Sequence, residues 1–145
     1  KGPIKTSQAL ESQGNLLFDR KEVSRIQTSR PDSKIILILD YNLKNFQFIM
    51  NNTRFGEVKW QHATDPAKDQ TFSAKILTDL TVAYSIHKNM KLSIGVDNLL
   101  DVYPDKIDNK GDVTTDLGGR FVYPWDVNQF GFNGRFYFAK LQFRL

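Results

Sequence analysis

Residues 130 to 145 read F-G-F-N-G-R-F-Y-F-A-K-L-Q-F-R-L. From Tyr137 the stretch alternates without a break, with Tyr137, Ala139, Leu141, Phe143 and Leu145 in one phase and Phe138, Lys140, Gln142 and Arg144 in the other. Successive side chains of a strand point to opposite faces, so this spacing predicts a strand with one oily side. Such a strand fits a soluble sandwich as well as a membrane barrel, and its neighbours have to decide between them.

Upstream, the same period recurs in two pairs. Ala74, Ile76, Thr78, Leu80, Val82, Tyr84 and Ile86 share a phase, His87-Lys88-Asn89 reads as a tight turn, and Met90, Leu92, Ile94 and Val96 continue the pattern. Earlier, Ile35, Leu37, Leu39 and Tyr41 alternate up to a short polar break at Asn42-Leu43-Lys44-Asn45, which leads into Phe46 to Met50. Breaks this short predict antiparallel hairpins. The strand from Phe46 is expected to run on through Arg54-Phe55 toward Trp60, with a bulge near Asn51-Asn52 where the phase slips. Gln61 to Ser73 reads as a polar loop. Short and long connections therefore alternate, which in an antiparallel meander gathers the short turns at one end and the long loops at the other. Outer-membrane barrels sort their loops in this way, and Greek-key sandwiches have no reason to.

Residues 1 to 17 carry no period. Asp19 to Gln27 predicts a short helix, with Asp19 and Glu22 at the spacing of an acidic N-terminal cap and with Val23 and Ile26 on one side; Pro31-Asp32-Ser33 ends it with turn chemistry. The 145 residues are 40% hydrophobic, with mean hydropathy -0.43 and no apolar run near the ~18 residues of a membrane helix. A barrel strand turns only every second residue to lipid, so low mean hydropathy is compatible with it. The charge of +4 is scattered, without the basic stripe of a nucleic-acid binder. With no cysteine, disulfide scaffolds, cysteine-ligated zinc and cysteine nucleophiles are excluded. Lys1-Gly2-Pro3 and the polar segment after it do not read as a signal peptide, so an exported protein would be represented here by a mature piece or a fragment.

Leu92 to Lys106, L-S-I-G-V-D-N-L-L-D-V-Y-P-D-K, resembles the N-N-L-F-D-x-x-Y motif near the end of TonB-dependent outer-membrane receptors, with Asp97 in place of the first Asn and Leu100 in place of Phe. Gln129 to Tyr137 is similar to the family's lead-in to its last strand, and Phe18-Asp19-Arg20 with Lys34 resembles an upstream loop of its members. Members usually end on Phe, where this chain has Leu145. The resemblance implies an all-β, antiparallel up-and-down meander made of the C-terminal strands of a large transmembrane β-barrel, with long external loops and one short helix. It implies a Gram-negative outer-membrane receptor that takes up a scarce nutrient, such as a metal chelate, cobalamin or a glycan, energised through TonB. The implied partners are outer-membrane lipid, the remaining strands and plug of the same receptor, and the TonB complex acting through that plug; no nucleic acid, cofactor or catalytic residue is implied. Such barrels have about 22 strands. Five strands are legible here, without a plug or a TonB box, and barrels need about eight to close, so residues 1 to 145 are expected to be the C-terminal portion of a longer receptor.

Other constellations are weaker. Asp101, Asp105, Asp108, Asp112 and Asp116 invite a calcium-loop reading, but with Gly111 in the sixth position of an EF-hand loop, Lys106, Lys110 and Leu117 fall on ligand positions. His62 and His87 are the two histidines, one in a long loop and one in a short turn. His62 with Asp65 and Asp69 forms the external-loop candidate for ligand contact. Asn51-Asn52-Thr53 matches a glycosylation sequon inside a predicted strand and is taken as chance. Tyr41, Tyr84 and Tyr137 on apolar faces, with Trp60, Tyr103, Tyr123 and Trp125 near strand ends or in loops, fit an interfacial aromatic girdle. The alternative is a soluble all-β ligand-binding module that recognises its ligand through the long loops.

Overall fold

The computed structural model describes residues 18–108, 121–124, 127 and 129–144. In chain order the elements are α1 (Arg20–Gln27), β1 (Lys34–Leu43), β2 (Phe46–Phe55), β3 (Val58–Trp60), β4 (Gln70–Phe72), β5 (Lys75–His87), β6 (Met90–Asp97) and β7 (Phe136–Phe143), with a 3-10 turn at Pro66–Lys68. They divide into two units. One is a sheet built from residues 33–55, 75–103 and 131–145; the other draws on residues 1–32, 56–74 and 104–130.

The sheet is all-antiparallel, in the order β1-β2-β5-β6-β7, an up-and-down meander as the alternation predicts. Two-residue turns at Lys44-Asn45 and Lys88-Asn89 join its hairpins. Lys44 takes φ 54°, the left-handed conformation that lets a two-residue turn follow the twist of its strands. Ser85 N–H donates to Asn45 O at 2.8 Å and Arg144 N–H to Asn89 O at 2.9 Å, so both turns and the end of β7 lie at the same end of the sheet. The chain leaves β2 and β6, and re-enters β5 and β7, at the other end.

Two expectations for β2 are corrected. Its register against β1 and β5 is unbroken through Asn51 and Asn52, so there is no bulge. The phase slips because Asn52 occupies an apolar-face position, where Thr78 opposite it donates to Asn52 Oδ1 at 2.7 Å. A polar pair that satisfies itself needs no extra residue. Nor does β2 reach Trp60: it ends at Phe55, and Val58–Trp60 pairs with β4 instead. The register shift that does occur lies between Ser85 and His87.

The second unit has a small core of its own, Val58, Trp60, Phe72 and Val127, each at most 2% exposed, with Ile107 packed against it. Gln61 to Ser73 is thus more than a polar loop, since it holds a 3-10 turn and a strand whose Phe72 is fully buried. Helix α1 starts as expected, with the Asp19 carboxylate accepting the Glu22 N–H at 2.8 Å. Its buried residue is Ser24, while Ile26 is exposed. The helix end docks through hydrogen bonds: Ser24 Oγ and Thr28 Oγ1 each donate to Lys59 O at 3.0 Å, and Lys59 N–H donates to Thr28 O at 2.9 Å. Polar docking replaces an apolar seam because β3 offers this helix a free backbone edge.

Candidate functional site

The register sorts the side chains of the sheet into two faces. Directly opposed residues share a side, so Leu43, Phe46, Tyr84, Leu92 and Leu141 form one row, Tyr41, Phe48, Val82, Ile94 and Ala139 the next, and Leu39, Met50, Leu80, Val96 and Tyr137 a third. Three successive rows are apolar across all five strands. Near the turns the aromatics touch: Phe46 and Tyr84 have ring centroids 4.7 Å apart, and Phe46 also stacks on Phe48 at 6.1 Å. On this face Ile94 is 55% exposed and Tyr137 67%. Lys34, Asp40, Lys75, Asp79, Lys91, Asp97 and Lys140 all fall on the opposite face. There the polar groups link across strands, Gln47 Nε2 to Asp40 at 2.8 Å, Lys91 Nζ to Gln47 Oε1 at 2.7 Å and Asn51 Nδ2 to Asp79 Oδ2 at 3.3 Å. The expected grouping of Ile76, Leu80, Val82, Tyr84, Leu92, Ile94, Val96, Leu141 and Phe143 on one side is what the register gives.

The segment after β6 works as a clasp at the end of the sheet opposite the turns. Asn98 takes φ 52° and Asp101 φ 56°, a conformation that Asn and Asp tolerate better than most residues. Asn98 N–H donates to Asp79 Oδ1 at 2.9 Å, its Nδ2 donates to Val102 O at 2.8 Å, and its Oδ1 accepts from Val102 N–H at 2.9 Å. Asp101 Oδ1 accepts the Arg135 N–H at 2.8 Å just before β7 begins. The Asp79 carboxylate of β5, bonded to the Asn98 N–H, and the Asp101 carboxylate, bonded to the Arg135 N–H, therefore tie the D-N-L-L-D stretch after β6 to β5 and to the start of β7. Gly134, at φ 64°, lies against Tyr103 and Asp101, where a Cβ would collide with the Tyr103 ring.

His62, Asp65 and Asp69 do come together, but their polar atoms are engaged in holding the loop. His62 Nδ1 accepts Asp65 N–H at 3.0 Å, Asp65 Oδ1 accepts Ala67 N–H at 3.0 Å as the cap of the 3-10 turn, and Asp69 Oδ1 accepts His62 N–H at 2.9 Å. Arg20 pairs with Asp69 Oδ2 at 2.6 Å and donates to His62 O at 3.1 Å. These bonds close the loop. Trp60, expected in a girdle, is 2% exposed in the core of this unit. Tyr103 belongs to the sheet unit and Tyr123 to the other, while Trp125 lies outside the described residues. Asp112, Asp116, Lys110, Gly111 and Leu117 of the calcium-loop reading, and Leu145, also lie outside them. Asp105 is occupied, accepting from Ser73 Oγ at 2.6 Å.

Among the buried side chains that the sequence reading does not single out are Gln129 and Phe72. Gln129 Nε2 donates to Gly56 O at 2.5 Å and to Ser73 O at 2.9 Å, joining distant segments of the second unit; a lone Gln in a polar stretch gives no signal for this. Phe72 is fully buried, and its only mark in the sequence is being the single large apolar residue between Gln61 and Ser73. No protein-family model, no curated protein and no solved structure matches the chain.

Proposed function

We propose that the five-stranded sheet is a stretch of outer-membrane barrel wall in an active-transport receptor of the TonB-dependent kind, which takes up a scarce nutrient such as a metal chelate, cobalamin or a glycan. The observation that carries this reading is the sheet itself, one face apolar over three full rows and exposed at Ile94, Leu141 and Tyr137, the other polar and cross-linked. Soluble monomers rarely leave a contiguous apolar patch above a few hundred Å². In lipid such a face is at home, and the polar face looks into a lumen. The outer edges of β1 and β7 pair with no strand among the described residues. Open edges do not persist in hydrocarbon, where each unpaired backbone group costs several kcal/mol, so further strands of the same receptor complete the wall. The short turns then face the periplasm, the long connections face outward, and the aromatic cluster at Phe46, Phe48 and Tyr84 sits at the inner interface.

Residues 1–145 contain no cysteine, so once any thiol outside them is replaced, single cysteines report cleanly. In the full-length protein in bilayers, spin labels at Leu80 and Ile94 are expected to collide with oxygen and to be shielded from a water-soluble nickel chelate; a label at Thr81 on the other face should show the reverse. Equal chelate access at all three positions would sink the proposal. So would a monodisperse 16.7 kDa monomer of residues 1–145 with a cooperative melt in the absence of detergent, which is the outcome that favours a soluble ligand-binding module.

A further inference from the structure

Every charged residue within the five strands lies on the polar face except Arg54. It stands in the row of Ile35 and Ile76, eight residues along β2 from Phe46, which is about 27 Å along a strand at 3.4 Å per residue. In a membrane strand tilted by ~35–45° that length rises about 19–22 Å through a ~25 Å apolar band, which leaves Arg54 a few Å inside the edge, within reach of its own stem. Arg135, immediately before β7, joins it on this face, because its Nη1 lies 3.2 Å from Tyr137 Oη and Tyr137 is in the last fully apolar row. Neither arginine has a carboxylate within ion-pair distance among the described residues. The nearest polar partner of Arg54 is Ser33 Oγ at 3.5 Å. At the turn end, the same face carries Leu43, Phe46, Tyr84, Leu92 and Leu141 with no cation among them.

We propose that Arg54 and Arg135 bind the phosphate-bearing headgroups of anionic lipids at the rim of the apolar face opposite the short turns. The inference rests on the barrel-wall reading and adds which lipid meets the wall, and in which leaflet. An arginine at mid-membrane costs ~2–4 kcal/mol and at the interface about 0–1, so these two positions are tolerated where the long aliphatic stem covers apolar surface and the guanidinium reaches the headgroups. A guanidinium presents a planar fork matched to phosphate oxygens. The hydroxyls of Ser33 and Tyr137 lie beside the two forks, and the charge of Asp101, which accepts the Arg135 N–H, acts on that guanidinium from beyond ion-pair distance. The arginines stand three strands apart, roughly 14 Å across the sheet, too far for one phosphate, so each takes its own. Lys44 and Lys88 stand in the turns at the other end of the sheet, but Arg54 and Arg135 are the cations in phase with the apolar rows, so the headgroups they take belong to the leaflet facing the long connections.

The test is boundary-lipid selectivity of the full-length protein in phosphatidylcholine vesicles, read with spin-labelled phosphatidylglycerol against spin-labelled phosphatidylcholine. The wild type is expected to prefer the anionic probe, Arg54→Gln and Arg135→Gln each to lose about fivefold at one site, and Arg54→Lys and Arg135→Lys to keep most of the preference. Unchanged selectivity in the double Gln variant, while labels at Leu80 and Ile94 still report lipid, would overturn this proposal and leave the wall standing. If inorganic phosphate at millimolar concentration binds the detergent-solubilised protein and abolishes the preference, the arginines serve a free anion and the lipid assignment fails. If Leu80 and Ile94 report water, the barrel-wall reading fails first.

Discussion

The two units of this chain solve folding in opposite directions. The unit around β3 and β4 turns its large side chains inward, with Val58, Trp60, Phe72 and Val127 each almost wholly hidden. The sheet turns its large side chains outward, and what it buries is small: Ala83, Thr53, Ser93, Thr78 and Val96, shielded by neighbours on the same pleat. Backbone ladders hold the second arrangement, apolar packing the first. A region organised by packing carries its environment with it, whereas a region organised by ladders alone leaves its faces to be matched by whatever surrounds it.

The comparison can be broken at the core first. Phe72→Ala should cost about 3–5 kcal/mol and raise hydrogen exchange in residues 56–74 while the amides of β5 and β6 stay protected. Phe143→Ala, on a side chain 67% exposed, should leave both unchanged; equal effects would mean that the two regions do not differ in kind. A charge on the open face is the next largest change. Leu80→Arg or Ile94→Arg should destabilise the full-length protein in bilayers by ~2–4 kcal/mol if the sites lie near mid-membrane, measured by denaturant titration, whereas Thr81→Arg on the polar face should be close to neutral.

The ladder itself is probed at Gly95, whose partner across β6 and β7 is Phe138. A Cβ at Gly95 would strike the Phe138 ring and come within 2.9 Å of Leu80 O, so Gly95→Ala should cost about 1–3 kcal/mol. Adding Phe138→Ala should recover part of that loss, because the ring can be removed and the carbonyl cannot; a strictly additive double mutant would show that the ring does not sit over the glycine. The smallest effect is expected at the helix cap. Asp19→Ala should cost about 1 kcal/mol and speed exchange at the Glu22 amide, with Asp19→Asn restoring most of it.

Alternation alone was enough to read the five strands of the sheet, both tight hairpins and the membership of each face, because a period of two is a local property that survives into any antiparallel pairing. The same holds for the Asp19 cap, which needs only its own next three residues. Arg54 was not legible in this way, because the slip read at Asn51-Asn52 would turn it to the polar face; only the unbroken register of β2 places it beside Ile35 and Ile76. What the tertiary structure decided is where contacts span long stretches of chain. Asn52 looks like a slipped phase until Thr78 is placed opposite it. Trp60 and Phe72 carry no period of their own, and only the return of the chain at Val127 makes them a core. That Arg20 and the amides of His62, Thr64, Asp65 and Ala67 bond to the cluster His62, Asp65 and Asp69 is likewise a matter of the folded loop. Periodicity records which side of its own strand a residue takes; it cannot record which distant residue waits on that side.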